Sequence, residues 1–325
     1  MQSLRLPLVA ITLAVANATA AAQQPWPAKP IRIIVPFPAG GLTDVTARLI
    51  GQAMGASLKT PVVIENKAGA HGLIGGADAA KAPADGHTLL VGSVGSAAIN
   101  PVLHGHMPYD HNRDFTPVSL LVSVPIVLMV NLQALPVQSV EELVSHALAN
   151  PGKLNFASAG NGGSSHLVAE YFKFRTGTSM THVPYRGENP AAADVAAGQV
   201  PLMFNTLVTT LPYVTSGRAR ILATTSRTRL AQLPDVPTLS EVPGLQDFEA
   251  SSWIALYAPA ATPPDIVRRL SASVDAALKS TAVARRLEEL GASPEGGSPQ
   301  RLADLQTSEQ RKWARVIRAA KITVE

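Results

Sequence analysis

The run Ile31-Arg32-Ile33-Ile34-Val35-Pro36-Phe37-Pro38-Ala39-Gly40-Gly41-Leu42-Thr43-Asp44-Val45 decides how the chain folds. A short β-branched stretch, continuous rather than alternating, marks a strand covered on both faces. Two prolines and a glycine pair then turn the backbone sharply. Beyond the turn, Val45, Leu49, Ala53 and Leu58 fall near one helical face. The same order recurs, with strands predicted at 31–35, 61–65, 88–92, 125–131, 154–158, 181–184, 200–204 and 220–224. Ser139 and Glu142 form a capping box ahead of a helix that stops at Asn150-Pro151-Gly152. Thr262-Pro263-Pro264-Asp265 opens another helix, with Ile266, Leu270, Val274 and Leu278 recurring every four residues. Strand–helix alternation over the whole chain predicts α/β architecture, with parallel sheets flanked by helices.

The chain has 325 residues, about two domains' worth at ~150 residues each. Apolar residues make up 46% and charged ones 15%, enough for large cores and contrary to disorder. Aromatics are 5%, the net charge is +4, and no dense Lys/Arg run occurs, which excludes nucleic acid as a partner. The absence of cysteine excludes disulfides, thiolate catalysis, zinc–cysteine sites and a cysteine-linked lipid anchor. Arg5, the apolar stretch 6–15 and Ala18-Thr19-Ala20-Ala21-Ala22 read as a signal peptide over 1–22, leaving a periplasmic chain that is soluble and not lipid-anchored. A boundary is expected at 120–124, and the stretch 233–248, with three prolines, reads as a surface crossover. One domain (125–220) is therefore expected to be inserted in the other (23–124 plus 221–325). Two crossover segments would then permit hinge closure over a cleft.

Two loops suit an anion. In the first, Gly40-Gly41 presents consecutive backbone N–H groups at a helix start, whose dipole favours a carboxylate by ~0.3–2 kcal/mol. Gly-Gly also serves simply as a tight strand-to-helix turn, a common device in α/β folds. The second, Ser158-Ala159-Gly160-Asn161-Gly162-Gly163-Ser164-Ser165-His166, again follows a strand and precedes a helical pattern. It lacks the last glycine of a dinucleotide fingerprint, and no G-K-[ST] follows. One such loop per domain, facing across a cleft, fits an acidic ligand held from both sides.

Pro27-Ala-Lys-Pro-Ile-Arg-Ile-Ile-Val-Pro-Phe-Pro-Ala-Gly-Gly-x-Thr-Asp44 resembles the opening signature of the tripartite tricarboxylate transporter receptors, the Bug or TctC-like family. So do Val63-Ile-Glu-Asn-Lys-Ala-Gly-Ala70, Ala84-Asp-Gly-His-Thr-Leu-Leu90, Tyr109-Asp…Arg113-Asp-Phe115 and Ser158-Ala-Gly-Asn-Gly162. His182-Val-Pro-Tyr-Arg-Gly187, Leu233-Pro-Asp-Val-Pro-Thr238 and Ala258-Pro-Ala-Ala-Thr-Pro263 extend the match to the C-terminal helices. The resemblance implies a periplasmic binding protein of type II, with two α/β domains and a ligand cleft. Such a receptor closes on a small mono- or dicarboxylate and delivers it to membrane permease subunits. It is no enzyme, needs neither cofactor nor metal, and is expected to be a monomer. By the same resemblance Phe37, Ala39, Gly40, Gly41 and Asp44 are the main carboxylate clamp, with Ser158, Ala159, Asn161, Ser164, His166, Tyr185 and Arg186 contributing from the second domain. Ser93, at a strand end, is best placed for a hydroxyl contact, and Arg186 either pairs with a ligand carboxylate or is simply exposed.

The chain departs from the family pattern at Asn205-Thr206, where Asp-Asn is usual, and at His87, where Tyr is usual. Asn205 removes a negative charge from a strand end expected to face the cleft, which implies a plain carboxylic acid as ligand. His71 either lines the cleft or lies on the surface. His104, His106 and His111, near Asp110, read as a solvated loop. Trp253 is expected beneath a returning strand, and 312–321 is a basic, solvated helix face with Trp313, Val316 and Ile317 buried. An organic-acid sensor signalling through a membrane kinase would share all these features. A secreted hydrolase lacks a nucleophile–base–orienter set, since Ser93 fails the G-x-S-x-G elbow.

Overall fold

A computed structural model of the protein describes residues 26–323. The signal-peptide reading of 1–22 and the cleft-lining reading of the His71 side chain lie outside the described residues. The order is β1 (Ile31–Val35), α1 (Leu42–Leu58), β2 (Val62–Asn66), α2 (Leu73–Ala80), β3 (Thr88–Ser93), α3 (Asn100–Leu103), α4 (His111–Asp114) and β4 (Phe115–Val130). It continues with α5 (Val140–Ala149), β5 (Leu154–Ser158), α6 (Ser164–Thr176), β6 (Met180–Pro184), α7 (Glu188–Ala196), β7 (Leu202–Thr206) and α8 (Leu207–Thr215). Next come β8 (Arg220–Thr224), β9 (Ser251–Pro259), α9 (Pro264–Leu278), α10 (Thr281–Glu289), β10 (Ser293–Pro294) and α11 (Pro299–Ala319).

The architecture is α/β, as expected, but the sheet is mixed rather than parallel. Its order is β2-β1-β3-β9-β4-β7-β5-β6, with β8 and β10 also paired to β4. β1, β2 and β3 are mutually parallel, as are β5, β6 and β7, whereas β9 runs antiparallel to both β3 and β4. A strand buried on both faces shows the same apolar run whichever way its neighbours point, so the period could not reveal this.

β4 joins the two halves. Its Phe115–Pro125 portion pairs with β9, and from Ile126 onward it pairs with β7. The expected strand began at 125; the missed first half contains Pro117, where the register shifts. β8 pairs with Val127–Val130, so Arg220–Thr224 lies in the second half of the sheet. The chain returns through Thr225, whose N–H donates to Ile126 O and whose carbonyl accepts from Ala250 N–H.

The strand directions set where loops meet. β3 is antiparallel to β9 and β9 to β4, so β3 points the same way as β4, toward the second half. β7 is antiparallel to β4, so it points back toward the first half, with β5 and β6 alongside. The C-terminal ends of β1 and β3 therefore oppose those of β5, β6 and β7. Ser93 is level with Ile254 and Val122, and Thr206 with Ile126, a separation of four residues or about 13 Å along β4.

One apolar cluster runs beneath both halves, from Ile34 and Leu90 through Trp253 and Tyr257 to Phe156 and Phe204, closed by Trp313, Val316 and Ile317 of α11. Leu239, Val242, Leu245 and Phe248 are buried in it. The 233–248 stretch is therefore anchored in the core at three-residue intervals and is not merely a surface crossover. α1 buries Ala47, Ile50 and Met54, whereas Leu49, Ala53 and Leu58 of the expected face only border the core. Gly51 belongs to this buried face, and a Cβ there would come within 3.1 Å of the Ile64 and Val62 side chains, so helix and sheet approach closely at a residue with no side chain.

Candidate functional site

The first loop leaves β1 at Val35 and enters α1 through Gly41, an extended N-cap with no side-chain capping bond. The amides of Gly41, Leu42 and Thr43 thus begin a helix turn without intrahelical partners, and Ala39, Gly40 and Gly41 are exposed. Gly40 adopts φ +85°, open to glycine at little cost. Phe37 is half-buried, and its carbonyl accepts from Asn66 Nδ2 at 3.1 Å.

Asp44 is not a free contact group. It is 2% exposed. Its carboxylate accepts from Gly40 N–H at 2.9 Å, Asn66 Nδ2 at 2.9 Å and Arg48 Nε at 3.0 Å. Burial pushes its pKa up, but bonds from Arg48, Gly40 and Asn66 outweigh this and hold it below the usual carboxylate value. The carboxylate fixes the shape of the loop, and the N–H of Gly40 is already engaged. Asn66 and Arg48 complete this brace, and only the Glu-Asn-Lys motif hinted at the first of them. Pro36 rests on Gly75 of α2, where a Cβ would meet Pro36 Cβ at 2.8 Å and Lys67 O at 2.9 Å.

The second loop is braced differently. Gly163 is an extended N-cap without a side-chain bond, so α6 also starts with unpaired amides. Ala159 N–H donates to Ser165 Oγ at 2.9 Å, and Gly162 N–H to His166 Nδ1 at 3.1 Å. Ser158 Oγ, fully buried, lies 2.5 Å from His182 Nε2. The His166 and His182 rings stack with centroids 3.8 Å apart and 8° between planes. Burial drives His166 down to about 3, aided by His182 and Lys173, and drives His182 down to about 4, aided by Lys173. Both rings are neutral at pH 7, and neutrality leaves His166 Nδ1 a lone pair for Gly162. His182 was not singled out by sequence reading; it lies 24 residues from Ser158. Asn161 is exposed and Ser164 half-buried at the helix start.

The other expected residues divide. Tyr185 N–H donates to Ser158 O at 2.9 Å, but its hydroxyl donates to Asp194 Oδ2 at 2.7 Å and is thus committed to α7. Burial and that bond push the phenol up to about 12. Arg186 is exposed. Ser93 exchanges bonds with Ser96: its N–H donates to Ser96 Oγ at 2.9 Å, and Ser96 N–H to Ser93 Oγ at 3.4 Å. A π-helical turn, Gly95–Ile99, follows it. Asn205, opposite Val127 where β4 changes partners, is 1% exposed, and among the described residues neither its Nδ2 nor its Oδ1 has a partner. The strand end is not free of negative charge, however, because Glu188 Oε2 accepts from Thr206 Oγ1 at 2.7 Å and Thr209 Oγ1 at 3.2 Å. His111 corrects the solvated-loop reading: it is 1% exposed against the rings of Phe115 and Tyr257. Among the described residues no three His, Asp or Glu side chains are placed to hold a metal, and no helix is long and apolar enough to cross a membrane.

The profile of the tripartite tricarboxylate transporter family receptor matches residues 46–322. The chain belongs to that receptor family. BugT of Bordetella pertussis is 38% identical over 294 residues, covering 90% of each chain. A Rhodopseudomonas palustris protein solved with adipate is 38% identical, with a TM-score of 0.77 over 92% of this chain and 99% of that one. MatC from the same organism, solved with bound malate, is 35% identical, with a TM-score of 0.74 over 90% of this chain and all of the other. This family is one of binding proteins, and its fold is that of periplasmic binding proteins of this type.

Proposed function

We propose that this receptor captures a small mono- or dicarboxylate between the loop after β1 and the loop after β5 and delivers it to a tripartite tricarboxylate-type permease. The observation that carries the reading is the opposition of two sets of strand ends across β4, each continuing into a helix that starts with unpaired amides. The adipate and malate held by two relatives support a carboxylate ligand. In this reading Gly41, Leu42 and Thr43 amides grip one carboxylate, with Phe37, Ala39 and Gly40 shaping the approach. The amides at Asn161 and Ser164, together with Arg186 and Ser93, serve the other end. Asp44, Ser158, Ala159, His166 and Tyr185 act by holding the loops. Asn205 supplies a buried amide at the hinge.

The hinge divides 23–124 plus the C-terminal portion from a second domain opened at 125, which we extend from 220 through Thr224 because β8 pairs there. Residues 1–22 act as a signal peptide, and the protein works as a cysteine-free monomer in the periplasm. The test is a thermal-shift screen with adipate, malate and monocarboxylates. A ligand at 100 times its Kd adds ~2.7 kcal/mol of stability, a rise of several degrees. If no carboxylate moves Tm and native mass spectrometry finds none bound, the proposal fails.

A further inference from the structure

The face of α6 far from the candidate site meets α11 along a groove of 500 Å³ lined by Tyr171, Phe174, Arg175, Arg311, Lys312 and Arg315. It is strongly basic, and its positive charge is largely unanswered. Arg175 donates to Tyr171 Oη at 3.0 Å and Gly244 O at 3.2 Å, neither of them a carboxylate. Arg311 and Arg315 are exposed, and among the described residues neither forms an ion pair. Lys312 is the exception, held by Glu309 and by Glu249 O. Beside these cations Phe174 is 53% exposed, an aromatic ring on a chain with few. The basic stretch of the C-terminal helix is thus one wall of a concave site whose other wall belongs to a different part of the fold.

We propose that this groove docks an acidic polypeptide segment of a partner protein, carboxylates pairing with Arg311, Arg315 and Arg175 and an apolar side chain covering Phe174. Concavity favours a peptide over a flat anionic bilayer, since the cations line the walls of a groove instead of sharing one plane. The walls give the site a further property. α11 packs on β4, on α3 and on the π-helical turn after β3, whereas α6 packs on β5 and β7. α6 has 13 residues, about 20 Å, with the second loop at its N-terminus and Phe174 and Arg175 near its C-terminus. A movement of the second loop onto a ligand, as the proposed function requires, is carried by this helix to the groove. The docked segment therefore distinguishes loaded from empty receptor, a consequence that rests on that function, whereas the docking itself does not.

The probe is a fluorescein-labelled 12-residue peptide of glutamates with two leucines, followed by anisotropy at 0.15 M salt with and without adipate. We expect Arg311→Glu/Arg315→Glu to weaken binding at least tenfold. Lys279→Glu/Arg285→Glu, an equal charge change at exposed positions after α9 and in α10, outside the groove lining, changes it less than twofold. Adipate shifts wild-type peptide affinity at least threefold. Equal weakening by both pairs, no peptide binding at millimolar concentration, or stronger binding to vesicles with 30% phosphatidylglycerol lost in the same variant would each overturn the proposal. Calorimetric titration of adipate into wild type and variant runs alongside. If adipate, malate and the monocarboxylates all fail to bind while the peptide result holds, the solute-binding reading fails and the docking site stands.

Discussion

Asp44 separates two ways of reading the first loop. A carboxylate next to an anion site either touches the ligand or holds the amides that do. Its geometry, with Gly40, Arg48 and Asn66 all donating to it, indicates the second. Asp44→Ala leaves two neutral donors without their acceptor, a penalty of about 1–3 kcal/mol in all. Gly40 is exposed, so water replaces its bond, and Asn66 keeps Phe37 O. The Arg48 pair adds little, because that guanidinium is 51% exposed and screened. The sum is about 2 kcal/mol, or roughly 3 °C in Tm for a chain of this size at ~2.1 cal/mol/K of unfolding entropy per residue. Without the brace the Gly41–Thr43 amides lose their fixed direction, and carboxylate affinity falls about tenfold, equivalent to ~1.4 kcal/mol. Differential scanning fluorimetry and calorimetric titration with adipate read the two effects. Asp44→Asn keeps one oxygen as acceptor but turns its NH₂ toward two donors, Arg48 with either Gly40 or Asn66, so it should lower Tm and affinity in the same direction. An affinity loss with Tm unchanged would show that Asp44 meets the ligand. A lower Tm with affinity unchanged would show that this loop is not the grip.

Asn205→Asp places a carboxyl in a site 1% exposed with no donor offered to it and Glu188 bonded to the next residue. Dicarboxylate affinity should fall at least tenfold by calorimetry and Tm should drop; unchanged affinities for mono- and dicarboxylates would remove Asn205 from the site. Gly75→Ala drives a methyl into Pro36 and the Lys67 carbonyl, so about 1–3 kcal/mol of stability in urea titration and some carboxylate affinity should be lost together. His111 supplies a pH dependence. Burial takes it down to about 4, against a weak opposing pull from Asp110, and Tyr109, Phe115 and Tyr257 face it. Between pH 6.5 and 4 the unfolded chain binds a proton there that the native one does not, so stability falls on acidification by up to about 3 kcal/mol. His111→Phe should flatten that part of the curve of stability against pH; an unaltered slope would refute the assignment.

The two loops were legible in the sequence because strand, glycine turn and helix start leave a compositional trace, and β1, β5 and β8 fall where their short apolar runs predict. What the sequence hid is pairing. Nothing in Phe115–Val124, broken by Pro117, shows that it continues the strand beyond it, nor that β9 returns antiparallel between β3 and β4. Yet those two strands aim the loops at each other. Roles within the site were hidden for the same reason. Asp44 and His166 have the right chemistry to touch an anion, and only their partners, Arg48 and Asn66 for one and Gly162 for the other, show them to be braces.

This division of labour bears on specificity. Backbone amides at a helix start recognise any carboxylate and are indifferent to the rest of the molecule. If the side chains nearest the amides are committed to holding the loops, discrimination among acids falls to the groups left unengaged: Asn205 with both amide atoms free, Arg186 exposed at its turn, and Asn161 at the head of α6. These three lie in the half of the sheet beyond Ile126. In the function proposed above, the first loop then serves as a general carboxylate grip, and the second half determines which acid is retained. Exchanging residues at Asn161, Arg186 and Asn205 should therefore change the ranking of ligands, whereas changes at Asp44 lower all affinities together.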